Sequence, residues 1–159
     1  MKIPENLTPS DLTNYLRDTI QDKKVEAGKP KFLIYVRKST DEEGKQIRSI
    51  EDQIDECLMF AKRQSINVSQ KDILVEKCSA KDSGKRPEFN KMLKLIQKGE
   101  YNSVIAWHPD RLSRNMKEAG EIIDMLDKNI IKELKFVSFT FSNDPSGILL
   151  LGITFALSK

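Results

Sequence analysis

From residue 31 onward, short runs of β-branched and aromatic residues alternate with segments whose apolar residues recur at helical spacing. The runs cover residues 32–37, 72–76, 103–107 and 135–139. Runs of this length and composition are typical of strands, and the spacing between them predicts amphipathic helices. Strands that alternate with helices pair in parallel, because each helix returns the chain to the same end of the sheet. The sequence therefore predicts an α/β fold with a mostly parallel central sheet flanked by helices.

Three predicted helices each have one apolar face. Their apolar positions are Ile47, Ile50, Ile54, Cys57, Leu58 and Ala61, then Phe89, Met92, Leu93 and Ile96, then Met116, Ala119, Ile123 and Leu126. Pro87 fits the first turn of the second helix, where a missing N–H costs nothing, and Gly99 fits its C-terminal exit. These two residues define the limits of that helix.

The chain is predicted to consist of three parts. Residues 1–30 form an N-terminal extension, with a helix that starts near Ser10 and a linker before the first strand. Residues 31–145 form the α/β domain, and residues 146–159 begin a further helix. This last part is apolar up to Leu157 and lacks a cap, which predicts that the helix continues in a longer protein.

Composition narrows the class of protein. Hydrophobic residues make up 38% and charged residues 32% of the 159 residues, which predicts a folded domain with a polar surface. The net charge of +3 is compatible with a polyanionic partner but does not identify one. The apolar run at residues 148–157 is about half as long as a bilayer-spanning helix, and residues 1–10 lack the features of a secretory signal. We therefore expect no membrane span and a cytoplasmic location.

Four polar segments follow or border the predicted strands. They are Tyr35-Val36-Arg37-Lys38-Ser39, Ser49-Ile50-Glu51-Asp52-Gln53, Lys85-Arg86-Pro87 and Asp110-Arg111-Leu112-Ser113-Arg114. The carboxyl ends of parallel strands lie at one edge of a sheet, where α/β folds place their ligands. We therefore expect the Ser39 hydroxyl to lie there among four guanidinium groups. These belong to Arg37, Arg86, Arg111 and Arg114. One guanidinium can donate two parallel hydrogen bonds to phosphate oxygens, and it stays charged at any working pH. This pattern therefore predicts a phosphate-binding pocket.

Ser39 is the candidate nucleophile of this pocket. A serine hydroxyl attacks phosphorus only with help from a base, a metal ion or a strongly positive field. The chain has a single histidine, His108, and so no histidine pair. The guanidiniums are the remaining source of activation, and one such donor is worth roughly 3 kcal/mol of barrier. The alternative is a serine that only ends the strand and bonds to nearby backbone.

Three further side chains are candidates for supporting roles. The Asp110 carboxylate is predicted to orient Arg111 or Arg114, with proton donation to a leaving oxygen as the alternative. Gln53 is predicted to hydrogen-bond the same phosphate. Tyr35 is predicted to pack beneath the pocket or to extend its hydroxyl into it.

Together, these segments resemble the catalytic domain of serine recombinases of the resolvase/invertase family. The motifs Tyr-x-Arg-x-Ser, Ser-x-x-x-Gln, Arg-Pro and Trp107-His108-Pro109-Asp110-Arg111-Leu112-Ser113-Arg114-Asn115 follow the family order across residues 32–115. The resemblance implies that Ser39 attacks a DNA phosphodiester and forms a 5′-phosphoserine link. It also implies roles for the activating arginines Arg37, Arg86, Arg111 and Arg114, and for the supporting residues Gln53 and Asp110.

The resemblance further implies double-stranded DNA as the partner, with no metal or other cofactor. It identifies residues 148–157 with the start of the family's long dimerisation helix, which implies a homodimer and a tetramer when two DNA sites are joined. Lys81, Lys85 and Arg86, in the polar loop at residues 78–86, are predicted to contact the DNA backbone. An ordinary solvated loop is the alternative.

The motif context is more similar to large serine recombinases of phages and mobile elements than to small resolvases. DNA-binding domains are expected beyond this chain, so recombination is expected to need the complete protein. Glu76 stands where many relatives have Asp, and no catalytic role is carried onto it. The resemblance gives residues 1–30 no function.

Two other functions remain open at this point. A metal-dependent phosphodiester enzyme would bind magnesium through Asp82, Asp110 or Glu76, and would lose all activity in a chelator. A non-catalytic module that binds nucleic acid or another partner would keep its function after Ser39→Ala.

Overall fold

The computed structural model describes residues 28–38, 49–77, 86–113 and 115–158. Four parallel strands form one sheet in the order β2–β1–β3–β4. Their bounds are Phe32–Arg37 for β1, Ile73–Glu76 for β2, Ser103–Ala106 for β3 and Glu133–Phe136 for β4. The predicted parallel α/β fold is confirmed in this part of the chain. The helix predicted near Ser10 lies outside the described residues.

The predicted bounds of β1 are confirmed, whereas the other three strands differ from prediction. Asp72 is not part of β2 because it closes a 3₁₀ turn, where its carboxylate accepts a hydrogen bond from the Ser69 N–H. The predicted fourth strand at residues 135–139 is wrong by two residues at its start. Its true start, Glu133, pairs with Ser103, and half-exposed Glu133 and Lys135 alternate with buried neighbours. The pairing partner therefore sets the ends of this strand.

Five helices lie in the described ranges. Their bounds are Ile50–Arg63 for α1, Pro87–Gln97 for α2, Pro109–Leu112 for α3, Met116–Asp127 for α4 and Pro145–Leu157 for α5. The predicted limits of α2 are confirmed, with Pro87 in its first turn and Gly99 just beyond its end at φ +76°. Met116, predicted on the apolar face of its helix, is instead 55% exposed at the first residue of α4.

Helices cover both faces of the sheet. Phe32, Ile34 and Val36 of β1 pack with Cys57 and Ala61 of α1 on one face. The alternate β1 residues, among them Leu33 and Tyr35, pack with α2, α4 and α5 on the other face. Each face therefore has its own apolar core, and β1 contributes to both.

The last helix, α5, is apolar around its whole circumference. Leu151 and Phe155 are buried in the core, whereas an outer stripe remains in solvent. The stripe consists of Leu149, Leu150, Ile153 and Leu157, which are 48% to 80% exposed. Within the described ranges, no helix combines the length and apolar character that crossing a membrane requires.

Candidate active site

The candidate arginines that the structure describes lie at the carboxyl edge of the sheet, in or beside the short helix α3. β1 lies between β2 and β3, and the helices that follow β1 and β3 in the sequence pack on opposite faces of the sheet. In open α/β sheets such a switch point leaves a crevice at the carboxyl ends of the strands. Here Arg37 ends β1, while β3 leads through Trp107 into α3.

Helix α3 is a single turn whose carbonyl oxygens point to arginine side chains. The Asp110 N–H donates to His108 Nδ1 at 3.3 Å, and Pro109 occupies the first turn. The last carbonyls of a helix have no partner within the helix. In α3, the carbonyls of Asp110, Arg111 and Leu112 accept hydrogen bonds from Arg37 or Arg86. Two predicted site arginines therefore hold this turn in place.

Arg37 joins the end of β1 to α3. Its Nη2 donates to the Asp110 carbonyl at 2.7 Å, and its Nε donates to the Arg111 carbonyl at 3.4 Å. A third bond runs from Nη1 to the Lys38 carbonyl at 3.3 Å. The side chain is buried. The hydrogen bonds of Arg37 therefore hold the α3 turn against β1, the strand that precedes Ser39.

Arg86 lies in a buried group that we call the Arg86 cluster, which consists of Arg86, Tyr35, Phe89, Glu118 and the Leu112 carbonyl. Nη2 of Arg86 donates to the Tyr35 hydroxyl at 2.7 Å and to the Leu112 carbonyl at 3.0 Å. Nη1 forms an ion pair with Glu118 Oε2. The guanidinium also lies 4.2 Å from the centre of the Phe89 ring. Its charge is therefore balanced by a carboxylate and by an aromatic face.

Tyr35 is the fully buried phenol of this cluster. Burial raises the pKa of its phenol to about 12, although the nearby Arg86 charge acts in the opposite direction. The neutral hydroxyl accepts the hydrogen bond from Arg86. The structure thus places the Tyr35 hydroxyl against Arg86, and the predicted role of Tyr35 in the pocket stays a prediction.

Gln53 connects α1 to the end of β1. Its Nε2 donates to the Arg37 carbonyl at 3.0 Å, and the side chain is fully buried. This bond places Gln53 beside the strand end that leads to Ser39. Its predicted hydrogen bond to a phosphate stays a prediction.

Arg111 and Asp110 form an ion pair at this edge. Nε of Arg111 lies 3.3 Å from Asp110 Oδ1, and His108 Nδ1 lies 3.1 Å from the same oxygen. Burial by itself would raise the pKa of the Asp110 carboxyl. The neighbouring His108 ring and the positive charges of Arg111 and Arg37 outweigh burial, and the pKa is lowered. Asp110 is therefore an ionised carboxylate held against Arg111.

The guanidinium of Arg111 has fewer partners than those of Arg37 and Arg86. Its side chain is 8% exposed, and Asp110 is its ion-pair partner among the described residues. Within the same ranges, the Arg111 side chain makes no hydrogen bond that meets normal geometry. Buried guanidinium donors without such partners favour binding of an anion.

Glu76, a candidate metal ligand in one alternative, caps α2. Its Oε2 accepts from the backbone N–H groups of Glu88 at 3.1 Å and Phe89 at 3.2 Å. Within the described ranges, no three His, Cys, Asp or Glu side chains are grouped so that they could hold a metal ion. Asp82, the other carboxylate named for that alternative, lies outside those ranges.

Four predicted site residues also lie outside the described ranges: Ser39, Lys81, Lys85 and Arg114. The structure brings Arg37, Arg86 and Arg111 together around α3, and their catalytic roles stay predictions. Sequence reasoning missed Glu118. The Asn115-x-x-Glu118 spacing marks the start of α4, where Asn115 Oδ1 accepts from the Glu118 N–H at 2.9 Å. That signal identifies a helix start but not the contact with Arg86.

Comparison with known proteins agrees with this architecture. The family model described as "Resolvase, N terminal domain" matches residues 32–159. A putative DNA recombinase of Bacillus subtilis (strain 168) is 34% identical over 130 residues, which cover 80% of this chain. The matched region spans only 24% of that relative.

Two solved structures share the fold. The N-terminal catalytic domain of TP901-1 integrase has a TM-score of 0.61 and 23% identity, over 79% of this chain and 92% of that one. The C-terminal catalytic domain of ISC1926 TnpA, an IS607-like serine recombinase, has a TM-score of 0.53 and 20% identity, over 77% of each chain. At these identities the likeness concerns the fold alone.

Proposed function

Because this chain belongs to the resolvase N-terminal domain family, we propose that it is the catalytic domain of a serine recombinase that carries out site-specific DNA recombination. The observation that carries the proposal is the grouping of Arg37, Arg86 and Arg111 around α3, at the sheet edge to which β1 leads. Ser39 follows β1 by two residues. A hydroxyl beside several guanidiniums suits attack on a phosphodiester.

In the proposed reaction, Ser39 Oγ attacks the phosphorus of a DNA phosphodiester. The new Oγ–P bond forms as the bond from phosphorus to the 3′ oxygen breaks, and the 3′ oxygen leaves with a proton. The product is a 5′-phosphoserine ester. Attack by a 3′ hydroxyl of the exchanged strand reverses these steps and restores the serine, so each phosphodiester bond is conserved.

Arg111 is the proposed direct ligand of the phosphate among the described arginines. Negative charge on the phosphate oxygens increases in the transition state, and a fixed guanidinium stabilises that charge more than it stabilises the substrate. The ionised Asp110 carboxylate holds Nε of Arg111. Because its pKa is lowered, Asp110 carries no proton at neutral pH. This supports the orienting role for Asp110 over proton donation.

The exposed apolar stripe of α5 supports a homodimer. Leu149, Leu150, Ile153 and Leu157 lie in solvent in the single chain, and stripes of this kind usually mark a contact surface. The proposed tetramer would pair two such dimers on two double-stranded DNA sites. In sedimentation, the chain should dimerise and Ile153→Lys should be monomeric. A wild-type monomer at concentrations near 100 times those used for DNA binding would contradict the dimer.

The test of the function uses a nicked suicide DNA substrate that the complete protein is first shown to bind. In EDTA, the wild type and Ser146→Ala, which changes an exposed serine of α5, should form a covalent DNA adduct that survives denaturation. Ser39→Ala should form none. An adduct from Ser39→Ala would exclude Ser39 as the nucleophile.

The remaining outcomes separate the two alternatives. Activity that depends entirely on a divalent metal would favour the metal-dependent phosphodiester enzyme. Bound DNA with no adduct from any variant would favour the non-catalytic binding module.

A further inference from the structure

Glu118 links two parts of the molecule that are far apart in sequence. It lies in the first turn of α4, and its carboxylate pairs with Arg86, which stands immediately before α2. Asn115 caps α4 by accepting from the Glu118 N–H at 2.9 Å, so the backbone of Glu118 is itself fixed. The ion pair thus joins the segment that carries Arg86 to the start of α4.

Arg86 depends on this pair because its guanidinium is removed from solvent. Its side chain is 9% exposed, and that of Glu118 is 18% exposed. A guanidinium in such a place needs a counterion as well as hydrogen-bond acceptors. The Tyr35 hydroxyl and the Leu112 carbonyl supply acceptors without negative charge. Glu118 supplies the charge.

The direction of the three contacts also fixes the orientation of the group. Nη2 is held by Tyr35 and Leu112, whereas Nη1 is held by Glu118. The Phe89 ring lies against the guanidinium, 4.2 Å away. Without the contact at Nη1, the guanidinium could turn about its Nε–Cζ bond, so one of its two ends would no longer have a fixed place.

We propose that Glu118 is a positioning residue, which holds the Arg86 guanidinium in the orientation that the DNA cleavage step requires. This inference rests on the proposed function, because it assigns Glu118 to the same reaction. Glu118 acts through Arg86 and does not itself contact the phosphate. Loss of its charge should therefore slow cleavage and leave DNA binding almost unchanged.

The first arm of the test needs no DNA. In the ¹⁵N-labelled chain, a guanidinium held at both ends should give separate Nη1 and Nη2 signals for Arg86. Glu118→Gln should merge these signals through faster rotation, and Glu118→Asp should give an intermediate rate. Glu121→Gln, which changes an exposed carboxylate of the same helix, should match the wild type. Equal rotation rates in Glu118→Gln and the wild type would overturn the positioning role.

The second arm measures the single-turnover rate of adduct formation at saturating protein. We expect Glu118→Gln to lower that rate at least 10-fold, Glu118→Asp to restore part of it, and all variants to bind the DNA within 2-fold of the wild type. An unchanged rate in Glu118→Gln would overturn the role in cleavage. If the wild type and Glu121→Gln form no adduct, the proposed function fails, while the first arm still decides whether Glu118 positions Arg86.

Discussion

The Arg86 cluster and the Arg111–Asp110 pair place equally buried guanidiniums in different surroundings. Arg86 and Arg111 are 8% and 6% exposed. Arg86 has a carboxylate, a phenol, a backbone carbonyl and an aromatic ring as neighbours. Arg111 has Asp110, at 3.3 Å, as its ion-pair partner in the described structure.

Burial alone therefore does not reveal what a site arginine does. A guanidinium that several protein groups hold, as at Nη1 and Nη2 of Arg86, contributes to the fold and to the position of its neighbours. One with remaining donors can bind a ligand without first losing protein contacts. On this reasoning, substitutions of Arg111 should mainly affect the reaction, and substitutions of Arg86 should also affect stability.

The largest expected effect is that Arg111→Lys slows DNA cleavage. Lysine keeps the positive charge near Asp110 but loses the planar pair of donors, so the rate of adduct formation should fall by about 100- to 1000-fold. Single-turnover assays on bound suicide DNA would measure this rate. A fall of less than 3-fold would show that Arg111 is not a direct phosphate ligand.

For the free energy of unfolding, substitution of Arg86 should have a larger effect than substitution of Arg111. Arg86→Met should lower the free energy of unfolding by about 3 kcal/mol, because it leaves Glu118 partly buried without its arginine. Arg111→Met should cost about 1 kcal/mol, since Asp110 retains His108 as a neighbour. Urea denaturation of both variants would compare them.

A double variant provides the control for that experiment. Adding Glu118→Gln to Arg86→Met removes the carboxylate that has lost its contact with Arg86 and should recover part of the lost stability. Equal losses for Arg86→Met and Arg111→Met would contradict the distinction between the two regions.

The smallest expected effect concerns alkaline pH. The pKa of Tyr35 is raised by burial from 10.0 in the unfolded chain to about 12 in the fold. The folded state therefore holds this proton more tightly, and the stability it contributes is complete below pH 10 and is lost as pH rises towards 12. Tyr35→Phe should reduce the fall of unfolding free energy over this interval, measured by urea denaturation at several pH values.

Cys57 and Tyr101, whose pKa values are also raised to about 12, should leave part of the pH dependence in that variant. Arg111→Met should leave the dependence as in the wild type, because Arg111 does not contact Tyr35. A Tyr35→Phe curve parallel to the wild type would mean that the phenol ionises equally in both states.

Local sequence signals predicted the fold well where local chemistry decides it. Pro87 and Gly99 fixed the ends of α2, and the buried run at residues 32–37 fixed β1. β4 was misplaced because its limits depend on pairing with β3, which lies about 30 residues earlier in the chain. The predicted resolvase/invertase family is confirmed by the match over residues 32–159.

The candidate site also has one part that local signals and topology predicted and one part that depends on long-range packing. The strand order placed Arg37 and Arg111 at one edge, as parallel topology requires. Which arginines are already engaged was not predictable, because it depends on the distance between helices. Glu118 illustrates this limit, since its approach to Arg86 follows from how α4 packs near the start of α2.

The pairing of β1 has a consequence for how the molecule is made. Phe32 pairs with Ser103, 71 residues further along the chain, and Ile34 pairs with Ile73. Because the strands of this sheet are parallel, none can form a hairpin with the next one. During synthesis, β1 therefore becomes paired on both sides only after β2 and β3 have been made. Long-range parallel pairing of this kind folds slowly. Any fragment that ends before Ser103 lacks one neighbour of β1, so the strand that leads to the candidate site is complete only when it is paired on both sides.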